Sequence, residues 1–307
     1  MKRSTERILT THCGSLPRPH DLLDLMKARA TGQSVDPEEY AARARTAVVE
    51  CVRQQVACGI DIVSDGEQSK PGFFAYISER LTGFEPRPSE RFELFAAEAQ
   101  AFPEYYEQYF RRAMLGGAAA PPVPLVCVGP VQYVGQAALQ RDIANLQAAV
   151  AGLDVAEVFM PAVAPSGVGR NAYYATEEEY LFAVADALRT EYQAIVDAGF
   201  VLQIDDPFLT DLFSYSPLDA AERRKAAERY VEAINHALRG ISPERVRFHT
   251  CYGINEGPRV HDAPLADVVE AMLKVNAQAY SFEAANARHE HEYHLWERVR
   301  LPEGKIL

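Results

Sequence analysis

No apolar run in this chain approaches the ~20 residues that a membrane-spanning helix requires, so no spanning segment is expected. Basic residues are in short supply. The 31 Lys and Arg stand against 43 Asp and Glu, a formal net charge of −12. Nucleic-acid and anionic-membrane surfaces need clustered cations to meet phosphate, so neither partner class is expected. Cysteine is sparse: Cys13, Cys51, Cys58, Cys127 and Cys251 are odd in number and lack a pairing pattern. A disulfide framework is therefore not expected, and a reducing cytoplasm is the expected setting. The basic residues near Met1 are followed by no apolar stretch, so no signal peptide is expected. Gly-x-Gly-x-x-Gly and Walker loops are also missing, which disfavours a nucleotide-binding doubly wound sheet.

What is present is a rhythm. The chain has 307 residues, 48% of them hydrophobic, enough for one large core, and α/β barrels of this length commonly form one domain. Short apolar runs end in polar loops and alternate with amphipathic stretches closed by Gly. Strands are expected at 60–64, 125–128, 155–163, 201–204, 246–250 and 280–283, with a β-prone run at 8–11. Helices are expected at 21–29, 36–58, 137–150, 177–198, 217–238, 264–275 and 284–299. Asp36-Pro37 is a strong helix start, and Gly59, Gly199 and Gly240 are stops. Residues 84–117, rich in Pro and aromatics, depart from the rhythm and are expected to form a lid or a subunit contact, which leaves an oligomer open. Gly116–Pro124 reads as a small-residue linker. Strands that are almost wholly apolar, each followed by a helix, mean a parallel sheet covered by helices. The fold class expected is α/β, a (β/α)8 barrel of TIM type spanning residues 1–307 as a single catalytic domain. Gly304-Lys305-Ile306-Leu307 looks like the beginning of another strand, so the last strand and helix units are expected to be missing.

In such a barrel the active site lies at the C-terminal ends of the strands. That gathers Cys13, Ser15, Glu67, Asp205, Asp206, His249, Cys251 and Glu283, each just past a strand. His249 and Cys251 are two residues apart, and on a strand such residues share a face. With Glu283 they offer nitrogen, sulfur and oxygen donors, a set that suits zinc with one coordination position left open. A thiol entering that position would lose its proton and become a nucleophile at neutral pH. Simpler readings exist for each residue. Asp205-Asp206-Pro207 also fits a helix cap and turn, Glu67 also fits a cap, and His289, His291 and His294 read as a solvated helix face.

Five ordered motifs then carry a resemblance. Thr10-Thr11-His12-Cys13-Gly14-Ser15-Leu16-Pro17, Gly59-Ile60-Asp61-Ile62-Val63-Ser64-Asp65-Gly66-Glu67, Gln203-Ile204-Asp205-Asp206-Pro207, His249-Thr250-Cys251 and Phe282-Glu283 resemble the motifs of the C-terminal catalytic barrel of cobalamin-independent methionine synthase. The likeness runs over nearly the whole chain and extends to single-barrel members and to the epoxyalkane:coenzyme M transferases. It implies zinc ligands at His249, Cys251 and Glu283. It also implies that Ser15, Glu67 and Asp205 hold the amino-acid part of a homocysteine-like thiol, with His12, Cys13 and Asp206 as possible additions. The reaction implied is methyl transfer to that thiol from a small-molecule donor, a methylated folate or another. The family's fourth ligand is a second Cys, and no Cys follows Cys251 here. Its acid-side His is expected beyond Leu307. A sulfonate-bearing thiol such as coenzyme M, with Arg18, Lys70 and Arg259 as its anion partners, and a non-catalytic thiol- or metal-binding barrel are the alternatives.

Overall fold

The computed structural model describes residues 1–87, 95–109, 123–214, 217–253 and 257–307. The expected rhythm is present. Helix α1 (His20–Ala30) and helix α2 (Pro37–Ala57) lead into strand β1 (Ile62–Val63). Asp36 caps α2 by accepting from the Glu38 N–H at 2.9 Å, and Pro37 occupies the first turn. Strand β2 (Phe84–Pro86), helices α3 (Ala96–Ala101) and α4 (Pro103–Tyr109) and strand β3 (Leu125–Cys127) follow. Then come α5 (Gln136–Val150), β4 (Glu157–Val163), β5 (Arg170–Asn171), α6 (Glu177–Asp197) and β6 (Val201–Asp205). The remaining elements are α7 (Pro207–Ser214), α8 (Ala220–Ala237), β7 (Val246–His249), α9 (Leu265–Leu273) and β8 (Ala279–Ser281).

The main sheet is parallel throughout, in the order β1-β4-β6-β7-β8. Single parallel bridges extend it on both sides, Thr11 to Ile62 at one edge and Ala279 to Ile306 at the other. Helices cover its outer face. Along α6, Leu181, Val184, Leu188 and Ile195 are buried at helical spacing. Each such side chain contributes about 1.5–3 kcal/mol by leaving water. The outward residues of the strands, Leu202, Ile204, Val246 and Phe248, close the same layer. This is the α/β barrel-type architecture expected, and it turns the alternate residues of each strand toward a common interior.

Three expectations need correction. The 125–128 strand is not one of the main set. β3 pairs antiparallel with β2 and parallel with β5 in a separate three-stranded sheet. Its partner β2 ends in Pro86, which cannot donate to a ladder and so suits an edge. The long helix expected at 284–299 is instead a 3-10 turn over Glu290–Glu297. Within that stretch His289 is not on a solvated face: it is 4% exposed and stacks on Tyr252 at 3.7 Å, with its ring nitrogens 2.8 Å from Glu292 and 3.1 Å from Asp262. Of the 84–117 excursion, Pro88, Phe92 and Phe110 lie outside the described residues, as does the expected linker up to residue 122. The described part, α3 and α4, packs on the loop after β7. Tyr106 donates to the Pro258 carbonyl at 2.8 Å, and Arg259 stacks on Phe95 at 4.3 Å.

Candidate active site

Parallel strands place residues of equal register side by side. Gln203 pairs with Arg247, Asp205 with His249, and His249 with Ser281. All of these are interior positions, so β6, β7 and β8 carry a polar ladder into the middle of an apolar fold. Arg247 anchors it. Its Nε donates to Gln203 Oε1 at 2.6 Å, its terminal nitrogens donate to Thr11 Oγ1 and the His12 carbonyl at 3.1 and 3.2 Å, and its plane covers Phe159 at 3.8 Å. Gln203 donates in turn to the Cys13 carbonyl and to Asp205 Oδ1, the latter at 2.6 Å. The first loop is thereby fastened across the strand ends. Sequence reasoning passed over Arg247 as part of an apolar run. A lone charge alternating with Val246 and Phe248 was the available signal.

At the top of the ladder two carboxylates converge on Gly14. A methyl group added there would lie 3.7 Å from Glu67 Oε2 and 3.9 Å from Asp205 Oδ2. Glu67 is 1% exposed, accepts from the Ser15 hydroxyl, and has Lys70 Nζ 3.5 Å from Oε1. Asp205 is 6% exposed. Its burial, reinforced by the Glu67 charge, holds its pKa well above the usual carboxylate range. Lys70 donates to the Pro161 carbonyl at 2.6 Å and lies 4.3 Å from the Tyr76 ring. Two carboxylates side by side, with the Lys70 ammonium near Glu67 and the Arg247 charge felt by Asp205, offer a set of acceptors that suits a cationic head group.

The predicted donors lie beside this pair. His249 ends β7, with Nδ1 3.3 Å from Ser281 Oγ. Burial, with Arg247 adding, pulls its imidazole down to about 4, so the ring is neutral. Burial pushes the Cys251 thiol up to about 12, and the charges of Asp211, Glu283 and Asp205 act in the same sense. Glu283 Oε2 accepts from the Tyr252 N–H at 3.2 Å and its charge is felt by both His249 and Cys251. Nitrogen, sulfur and oxygen donors thus share one neighbourhood, the donor types that zinc accepts. Among the described residues, no group of three His, Cys, Asp or Glu side chains is arranged so that it could hold a metal ion. Asp211 of α7 is a fourth acidic neighbour that sequence reasoning missed, half-buried and pushed up to about 7 by burial and by Asp206.

Of the three additional candidates, Asp206 and His12 make structural contacts, and Cys13 lies near the carboxylate pair. Asp206 caps α7: its Oδ1 accepts from Ser166 Oγ at 2.8 Å and from the Leu209 N–H at 3.2 Å. That is the helix-cap reading. His12 enters through its backbone carbonyl, bound by Arg247. Cys13 stands at the exposed rim, near enough for its thiol to feel Asp205 and Glu67.

A family model described as the catalytic domain of cobalamin-independent synthase matches residues 8–96. The chain is similar to the methionine synthase of Sulfolobus acidocaldarius, 25% identical over 245 residues, covering 80% of this chain and 61% of the relative. It is also similar to that of Saccharolobus solfataricus, 24% identical over 254 residues, covering 80% and 62%. The chain thus spans about three fifths of the length of these curated relatives. Two solved structures share its fold. One is a putative vitamin-B12 independent methionine synthase from Listeria monocytogenes, with a TM-score of 0.60 and 20% identity, covering 90% of this chain and 73% of that one. The other is a B12-independent methionine synthase from Shewanella sp. W3-18-1 in complex with selenomethionine, with a TM-score of 0.61 and 20% identity, covering 88% and 72%.

Proposed function

We propose that this chain, which resembles the catalytic domain of cobalamin-independent methionine synthases in sequence and fold, is an enzyme that transfers a methyl group to the sulfur of a homocysteine-like thiol. The observation that carries the reading is the convergence of Glu67 and Asp205 on Gly14, next to the strand ends that bear His249, Cys251 and Glu283. In this reading the two carboxylates accept the substrate's α-ammonium, with the Ser15 hydroxyl fixing Glu67, and the loop amides face its carboxylate. That orientation directs the thiol toward Cys251. Zinc held by His249, Cys251 and Glu283 would act as a Lewis acid that makes the thiolate available at neutral pH.

In the transfer, sulfur donates an electron pair to the methyl carbon and the bond from that carbon to its donor breaks. The bond's electrons leave with the donor, which takes up a proton. The burial of Asp205, with His249 and Cys251 partly buried beside it, limits water at this step and strengthens each charge interaction. The methyl donor we propose is a small molecule, a methylated folate or another carrier. A cytoplasmic location fits five unbridged cysteines.

A sulfonate-bearing thiol draws little support. Arg18 is committed to the Glu67 and Lys70 carbonyls, Lys70 to the Pro161 carbonyl, and Arg259 to the Tyr252 carbonyl and Tyr106 hydroxyl. The test is metal analysis together with a turnover assay using L-homocysteine and a panel of methyl donors. Near one equivalent of zinc, its loss in Cys251→Ala, and methionine formation are expected. Full zinc retention in that variant, or no turnover with any donor, would overturn the proposal.

A further inference from the structure

Arg18 lies between Pro17 and Pro19 in the loop after the first strand segment. We propose that Arg18 is a positioning residue for the ammonium end of the site, holding Glu67 in a left-handed backbone conformation so that its carboxylate faces Asp205 across Gly14. The inference rests on the reading of Glu67 and Asp205 as partners of an amino-acid ammonium.

The backbone at Glu67 is the motivating observation. Gly66 and Glu67 are consecutive left-handed residues, with φ of +60° and +54°. Glycine adopts this region freely, whereas a residue with a Cβ does so only against a steric cost. The surrounding contacts must therefore hold Glu67 there. Some are local: the Glu67 N–H donates to Asp65 Oδ1 at 3.0 Å, and the Lys70 N–H to the Glu67 carbonyl at 3.1 Å. Across the gap between the two loops, the Leu16 N–H donates to the Gly66 carbonyl at 3.0 Å. The carbonyls of Glu67 and Lys70 both accept from the same terminal nitrogen of Arg18, at 2.8 and 2.7 Å. One charged nitrogen thus clamps both ends of the turn, and charge-assisted bonds are the stronger kind. The flanking prolines restrict the backbone that delivers the guanidinium, so little freedom is lost in placing it.

There is a division of labour between main chain and side chain. Arg18 holds the Glu67 backbone, while the Ser15 hydroxyl and Lys70 hold its carboxylate. An extended conformation at Glu67 would turn its Cα–Cβ bond away from Gly14 and separate the carboxylate pair. Arg18 bonds the backbone carbonyls of Glu67 and Lys70 and its charge is felt by Glu67, so its removal acts on substrate through Glu67.

The test compares calorimetric affinities for L-homocysteine and for 4-mercaptobutanoate, the same thiol acid without the α-ammonium. The proteins are the wild type, Arg18→Met and Arg18→Lys. The wild type is expected to prefer L-homocysteine. Arg18→Met should lower that preference by about tenfold or more, through loss of L-homocysteine affinity with 4-mercaptobutanoate affinity unchanged. Arg18→Lys should restore most of the preference, because one nitrogen serves both carbonyls. A wild-type preference in Arg18→Met, or an equal loss for both ligands, overturns the positioning role. If Arg18→Met does not fold, Arg18→Gln supplies the same ratio. A wild type without preference for L-homocysteine refutes the carboxylate-pair reading itself, and the inference falls with its premise.

Discussion

At the scale of single residues, burial sets the chemistry of this protein. Asp65, next to the strained turn, is 1% exposed, and its burial raises its carboxyl from 3.8 to about 6, with Lys70 opposing. The unfolded chain releases that proton near its ordinary value, and the folded chain holds it until about 6. Between those limits the folded state binds more protons, so this group lowers stability as pH rises through the window and by a constant amount above it. Asp65→Asn keeps an acceptor for the Glu67 N–H and has no proton to lose. Relative to wild type it should gain about 2–3 kcal/mol between pH 4 and pH 7. Denaturant unfolding of both proteins across that range measures the gap, and a pH-independent gap contradicts the assignment. His249 works in the opposite sense. Its folded-state value of about 4 lies below the ordinary 6.5, so its contribution is lost as pH falls through that interval.

At the scale of elements, the departure from the βα rhythm acquires a purpose. Helix α3 carries Glu98, wholly buried, whose Oε1 accepts from the successive N–H groups of Val260 and His261 at 3.1 and 3.2 Å. Arg259, from the same loop, donates to the Tyr252 carbonyl at 3.0 Å. His289 stacks on the Tyr252 ring from the other segment. The loop carrying Cys251 is therefore braced on both sides by segments remote in sequence. Glu98→Ala leaves two amides without their acceptor, at a cost of about 1–3 kcal/mol. Hydrogen exchange of residues 257–262 should accelerate, and an unchanged exchange rate would refute the brace. The aromatic density of the excursion was evident from the chain. Its docking site was not, because a buried Glu among aromatics looks the same in sequence as a solvated one.

At the scale of the whole molecule, a charged cluster joins the helical layer to the sheet. Glu191 of α6 accepts from Tyr76 and Tyr133 at 2.8 and 2.7 Å and pairs with Arg80 at 3.0 Å, while Arg80 also pairs with Asp142 of α5. Tyr76 accepts from the Val163 N–H at 3.2 Å and lies beside Lys70. A chain of polar contacts thus runs from the helix layer to the candidate site. Removing one member of a buried ionic set leaves its partner uncompensated. Glu191→Ala should cost about 3–5 kcal/mol, and pairing it with Arg80→Met should recover part of that loss. Denaturant midpoints of the wild type, the two single variants and the double variant decide the matter, and an additive double variant would refute the coupling.

Local chemistry made the helices, the apolar strands and the Gly-Ser, Asp-Gly-Glu and Gln-Ile-Asp motifs legible in the chain, because capping, periodicity and turn formation act over a few residues. The grouping of Ser15, Glu67 and Asp205 followed once parallel strands were inferred, since such a sheet brings its strand ends together. Other features depend on contacts between residues far apart in sequence. They include the placement of β3 in a side sheet, the burial of His289, the anchoring of Gln203 by Arg247 and the left-handed turn at Glu67 clamped by Arg18. No local propensity encodes a hydrogen bond between residues 18 and 67, or the desolvation of Asp205 in the packed chain. The sequence by itself determined which residues had the chemistry for the candidate site. The tertiary structure decided which of them stand together, because burial and register are properties of the packed chain.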